Sequence, residues 1–211
     1  MRKALSATHS CLRASCVLLW LAACSGPDDP SEVESPDAII EPSRHSNLQW
    51  KRYAALEADL MQALELPADQ LCNEFGLASC IHEVHLASLG GNEPFKTGLL
   101  EPSAEPLATT PAIVDRLLLS ACARRVELDR SAGRERAKVF RGLDLDGVAP
   151  PAGSPALEQT ITELYHRFLA REPAARELTR VAELADGSSS ATEFATLSCF
   201  VIGTSTEFLF F

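Results

Sequence analysis

The chain predicts an all-α fold: one compact multi-helix domain with long irregular loops. Three observations carry that prediction. Apolar residues recur at three- and four-residue steps in several separate segments. Two of these segments open on a hydroxyl residue followed by proline, Thr110-Pro111 and Ser154-Pro155. That order caps a helix and presets its first turn. No segment shows the sustained period-two alternation with hairpin turns that a sheet needs.

The first helix is expected over 47–66, where Leu48, Tyr53, Leu56, Leu60 and Leu64 form one stripe and Pro67 stops it. A second is expected over 69–75, broken by Gly76, and a third over 78–89, ended by Gly90-Gly91. Residues 91–110 read as an irregular stretch. Thr110 as N-cap and Pro111 at the first helical position then open a strong helix with Val114, Leu117, Leu118, Ala121 and Cys122 on its stripe. Another irregular region is expected over about 128–153. Ser154-Pro155 starts a helix with Leu157, Ile161, Leu164, Tyr165 and Phe168 on one side. Glu172-Pro173 starts the next, which carries Leu178, Val181 and Leu184 and closes at Asp186-Gly187. Ser190 and Glu193 have the spacing of a capping box. The helix behind it carries Phe194, Leu197 and Val201, and then Phe208 to Phe211, where core packing is favoured over an interface.

At the N-terminus, Arg2, Lys3 and Arg13 precede an apolar run of about ten residues. That length suits a signal h-region and falls short of the ~20 residues of a membrane span. The run ends Leu21-Ala22-Ala23-Cys24, which resembles the lipobox of bacterial lipoproteins; an ordinary secretory peptide is the plainer alternative. The resemblance implies that residues 1–23 are a signal peptide, that Cys24 is lipidated (palmitate among its acyl chains), and that the protein works outside the cytoplasm. Ser25 follows where an inner-membrane protein would carry Asp, so the same resemblance implies the outer membrane of a Gram-negative cell. Several acyl chains on one cysteine hold a protein at a bilayer, where a single chain holds only marginally. Residues 24–46 form a tether with Pro27, Pro30, Pro36 and Pro42 and six acids, a composition that extends and cannot pack. The helical domain is expected over 47–211.

The formal charge is −10, and losing Arg2, Lys3 and Arg13 with the signal takes it to −13. A surface that acidic repels phosphate backbones, so no nucleic-acid partner is expected.

Seven cysteines divide cleanly. Cys11 and Cys16 leave with the signal, Cys24 takes lipid, and Cys72, Cys80, Cys122 and Cys199 remain in an oxidising compartment. Three pairings are open. Cys72–Cys80 with Cys122–Cys199 is favoured, because a turn at Gly76 brings the first two together and the second bridge ties distant helices. Loop entropy gives the short bridge about 2.6 kcal/mol and the long one about 4.5 kcal/mol as upper values. The alternative is a metal-binding or enzymatic module on Cys72, Cys80, His82 and His85. Cys₂His₂ is a zinc set, but the cysteine spacing is wider and the histidine spacing narrower than structural zinc sites use. Glu74, Glu83 and Glu93 offer a carboxylate–imidazole site with the same histidines, or are solvated acids. Haem attachment lacks its Cys-x-x-Cys-His, and no cofactor is implied.

Catalytic motifs fail individually. His82-Glu83-Val84-His85 has Leu86 where a zinc peptidase needs its second histidine. Lys96-Thr97-Gly98 lacks the companion motifs of penicillin-recognising enzymes. Asp144-Leu145-Asp146-Gly147 does not continue as a calcium loop. The glycine-rich stretch 89–102 stands out instead, because long loops in compact domains are where binding concentrates. Its Phe95, Leu99 and Leu100 are candidates for a partner-binding loop, the plain alternative being that they fill gaps over the helices.

The run 164–173, Leu-Tyr-His-Arg-Phe-Leu-Ala-Arg-Glu-Pro, then Glu177-Leu178, and later Ser205-Thr206-Glu207-Phe208, resembles a helical unit shared by several exported bacterial families of unknown function. The likeness covers roughly the last 50 residues. It implies a helical packing unit and an exported context, and names no catalytic residue. The expected function is therefore a lipid-anchored, non-catalytic scaffold or accessory subunit with an envelope protein partner.

Overall fold

Residues 48–98, 100–103 and 105–210 are described by the computed structural model, and most of them are helical. The signal, Cys24, the tether, Leu99 and Phe211 lie outside them. The described residues belong to one compact unit.

The first helix, α1 (Tyr53–Leu64), buries Leu56, Leu60, Ala63 and Leu64. It starts later than its apolar spacing predicts. Trp50 is held extended in an antiparallel bridge to Phe210, with the Lys51 N–H donating to the Leu209 carbonyl at 2.8 Å, and Leu48 is left exposed. Pro67 does end the helical stripe, after Glu65 turns the chain at φ +48°.

The two helices expected over 69–75 and 78–89 are replaced by tighter structure. A 3₁₀ turn (Ala68–Gln70) leads into a hairpin of β1 (Asn73–Glu74) and β2 (Ala78–Ser79), with Asn73 opposite Ser79 and Glu74 opposite Ala78. A π-helical turn (Cys80–Val84) and a 3₁₀ turn (Ala87–Leu89) follow. The physical reason is the crosslink. The Cys72–Cys80 disulfide holds its α-carbons 5.5 Å apart and the Cys80 N–H donates to the Cys72 carbonyl at 3.2 Å, so the backbone on both sides of Gly76 spends its hydrogen bonds across the turn and not within two helices. The described residues of 91–109 are irregular as expected, apart from the short α2 (Pro94–Thr97).

Helix α3 (Thr110–Ala132) is the longest, and all five residues of its expected stripe are buried. Thr110 does not cap it. Its hydroxyl accepts from the Leu107 N–H and donates to the Ser88 carbonyl, so it fastens the preceding loop while Thr109 takes the cap position. The helix also runs beyond the predicted end near 128. The extra turn contains Asp129, 1 % exposed, which accepts from the N–H groups of Lys138, Val139 and Phe140 and pairs with Arg125 at 2.7 Å. Four charge-assisted contacts on one buried carboxylate hold the 137–145 segment, with Phe140 and Leu143, against the core.

Ser154 caps α4 (Pro155–Leu169) as its sequence announces, accepting from the Leu157 N–H, and the whole predicted stripe is buried. Two short helices follow, α5 (Ala175–Ala182) and α6 (Leu184–Gly187). The first starts two residues after Pro173, because the Glu177 carboxylate accepts from the Ala174 N–H and fixes the cap there. Ser190 caps α7 (Ala191–Gly203). Glu193, however, accepts from Ser189 and not from the cap residue, so only half of the capping box forms. The inward face of α7 is Phe194, Ala195, Ser198, Cys199 and Ile202; Leu197 is half-buried and Val201 exposed, a rotation from the predicted stripe. The chain finishes in α8 (Thr206–Leu209), capped by the Ser205 hydroxyl, with Phe208 in the core.

Helices α3 and α7 make the central pair, crosslinked by Cys122–Cys199, both fully buried. Gly203 sits where any Cβ would come within 2.7 Å of Leu118, so a side chain there would push these elements apart. Helix α4 packs on α1, α5 and α7. No helix among the described residues is long and apolar enough to cross a membrane.

Candidate partner-binding surface

Between α1 and α3 the chain spends its apolar residues differently. The hairpin turn places both central residues at positive φ, Phe75 at +52° and Gly76 at +71°, and the Leu77 N–H closes it on the Glu74 carbonyl at 3.0 Å. Positive φ at both positions strains a residue other than Gly, Asn or Asp. Phe75 is 96 % exposed and Leu77 88 % exposed, so neither is held there by packing. The base of the finger is rigid. The disulfide spans it, the Cys80 N–H donates to the Cys72 carbonyl at 3.2 Å, and Asn73 donates its side-chain amide to the Asp69 carbonyl.

Glu74 lies buried under the finger. One carboxylate oxygen accepts from the Arg116 guanidinium and the other lies 3.4 Å from His85 Nε2. The neighbouring turn is also pinned: the Ser79 hydroxyl accepts from the His82 N–H, His82 Nε2 meets Glu57 at 2.7 Å, and the imidazole packs edge-on to Tyr53. Glu74 thus meets His85, and Glu57 takes the other imidazole; Glu83 and Glu93 are not drawn in with them, and Glu93 instead pairs with Lys96 at 2.7 Å. That hydrogen bond, the same pair's Coulombic attraction and the more distant charge of Glu83 raise the Lys96 pKa against a small opposing burial effect.

The alternative metal set does not assemble. Cys72 and Cys80 spend their sulfurs on each other, and each histidine faces a different carboxylate. Among the described residues no group of three His, Cys, Asp or Glu side chains has a metal-holding arrangement. The other favoured bridge, Cys122–Cys199, is likewise present.

Phe95 stands fully exposed on α2, and Leu100 is 86 % exposed. Phe95 therefore fills no gap over the helices, and Leu99 lies outside the described residues. Val84 adds a further exposed apolar side chain nearby in sequence. Helical spacing alone conceals the finger, since it makes Phe75 the last residue of an expected helix. The signal that could reveal it is a Phe-Gly pair midway between two cysteines eight apart.

The motif residues of the last 50 converge on one clasp. The Arg171 guanidinium donates to both oxygens of Glu177 and both oxygens of Glu207, at 2.6–2.8 Å, and lies over the Tyr165 ring. Its hydrogen bonds hold the Glu177 carboxyl down at about 2, with help from the Ala174 N–H, and lower Glu207 as well. The same contacts raise Arg171 further above its ordinary value. Phe168 meets Phe208 edge-to-face at 5.0 Å between ring centroids. Arg167 bonds Glu163, Glu65 and the carbonyls of Ala63 and Lys138. Arg171, Glu177, Glu207, Phe168 and Phe208 thus join α4, α5 and α8, while Arg167 ties α4 to the end of α1 and to the segment at Lys138. A cleft of about 700 Å³ lies apart from this clasp, lined by Trp50, Arg52, Pro106 and Phe210 among others.

No family model matches this chain, and neither a curated protein nor a solved structure matches it.

Proposed function

We propose that this protein is a lipid-anchored envelope protein that acts without catalysis, as an accessory or scaffold subunit docking on an envelope protein partner. Cys24 carries the lipid, residues 25–46 are the leash, and the outer membrane is the home bilayer. The observation that carries the reading is the loop 93–101. It holds Phe95 and Leu100 bare to solvent, with Glu93, Lys96 and Glu101 beside them in sequence, a mix of apolar and charged side chains that suits a protein interface. A helical body crosslinked by two disulfides supports the docking role. A leash adds effective concentration for any partner held at the same bilayer.

The anchor and the docking surface are tested separately. Globomycin is expected to cause accumulation of a larger, unprocessed form; an unchanged size would remove the anchor. Replacing Phe95 and Leu100 together by Asp is expected to abolish co-purification of the partner from detergent-solubilised envelopes while leaving thermal unfolding unaltered. A partner retained at wild-type yield would remove the loop from the interface.

A further inference from the structure

We infer that the tip of the stapled hairpin is a bilayer-contacting element, with Phe75 and Leu77 entering the interfacial zone of the membrane. The inference rests on the anchor reading above and concerns a different element from the loop at Phe95.

The two surfaces differ in chemistry. Residues 75–79 carry no charge, and the acid just before them, Glu74, is buried and matched by Arg116. In the Phe95 loop Glu93, Lys96 and Glu101 flank the apolar residues in sequence. Flanking charges suit a protein surface that answers them, whereas an uncharged tip enters the headgroup–acyl boundary without stranding an ion. Shape points the same way. The tip projects: Phe75 and Leu77 stand out on either side of Gly76, and a Cβ built on that glycine would meet nothing within 4 Å. What covers it must supply the depth, and a bilayer does so without a complementary mould. The turn backbone is closed on itself by the Leu77 N–H to Glu74 carbonyl bond, which lowers the cost of leaving water.

Reach follows from covalent geometry. From Cys24 to Leu48 the chain spans at most about 80 Å, so an anchored domain never leaves the neighbourhood of the lipid. A weak apolar tip then works at high local lipid concentration, and orients a domain that the acyl chains already hold at the bilayer. Aromatic and aliphatic insertion of this kind depends little on salt, because no charge pair is made.

The test uses the mature chain carrying Cys24→Ser, so that no acyl chain contributes, with vesicles of phosphatidylethanolamine and phosphatidylcholine. Co-sedimentation is expected, unchanged by added salt, and Phe75→Gly combined with Leu77→Ser is expected to lower partitioning roughly tenfold. A Phe75→Trp variant adds a second indole to Trp50, the only tryptophan after residue 24. Brominated lipids are expected to quench the added emission. Equal partitioning of parent and double variant, or an added indole that the bromines never reach, would overturn the inference. So would a tip that binds a purified envelope protein and ignores vesicles. The acylated chain separates the two claims. If it sediments with vesicles while its added indole stays unquenched, the anchor stands and the tip does not. Thermal unfolding of each variant confirms that the fold survives.

Discussion

Residues 154–210 and residues 68–100 treat apolar side chains in opposite ways. In the C-terminal stretch every large apolar side chain except Val201 is at least half-buried, and Glu177 and Glu207 are joined in a clasp around Arg171. In the earlier stretch Phe75, Leu77, Val84, Phe95 and Leu100 are exposed, one of them on strained backbone, and order comes from a short crosslink and buried polar contacts. The first region holds itself together by helix packing. The second is held by one disulfide and by buried polar contacts, with these apolar residues left exposed. Exposed Leu or Phe scattered singly is ordinary; five within 26 residues is a local concentration of exposed apolar side chains, and the docking proposal rests on part of it.

Crosslinks give the largest expected contrast. Removing Cys122–Cys199 by paired alanines is expected to cost up to about 4.5 kcal/mol, because 77 residues separate its ends and it joins the central helices. Removing Cys72–Cys80 is expected to cost up to about 2.6 kcal/mol and to abolish binding at the finger. Urea unfolding of both variants measures this. A short bridge that proves the costlier of the two would reverse the division of labour.

Acid sharpens the comparison next. Glu177 is held at about 2 in the folded chain, against an ordinary 4.5. A depressed carboxyl contributes stability that is complete above the unfolded value and is lost as pH falls toward the folded one. The clasp should therefore weaken between about pH 5 and pH 2. Both acids are partly exposed, so the effect is modest. Arg171→Gln is expected to flatten that part of the melting-temperature profile, and an unchanged profile would remove the clasp from the stability of the C-terminal stretch.

The smallest effect has the opposite sign. Phe75 sits at φ +52° without a packing partner, so Phe75→Gly is expected to stabilise the fold by about 0.5 kcal/mol. A variant that melts higher yet partitions less onto vesicles would mean that this position is kept for its surface. A destabilised variant would argue that the side chain serves the fold.

Legibility in the sequence follows the same border. The cap-then-proline signal at Ser154, the Ser190 cap and the stripes of α3 and α4 can be read directly, because helix caps and 3.6-residue periods are local. The finger cannot. Strands two residues long show no alternation, and the helical spacing around Cys72 is overridden by a bond to Cys80. The additional turn of α3 depends on Asp129 meeting N–H groups nine to eleven residues away, which no local pattern displays. Phe95 and Leu100 are legible as loop residues, and their exposure is a property of the fold.

Photo-crosslinking in the living envelope tests the docking claim most directly. With a benzophenone amino acid in place of Phe95, the account predicts one discrete protein adduct, absent when the same group replaces exposed Thr179 on α5. A chain that stays uncrosslinked at position 95, with its fold and membrane attachment intact, would contradict it.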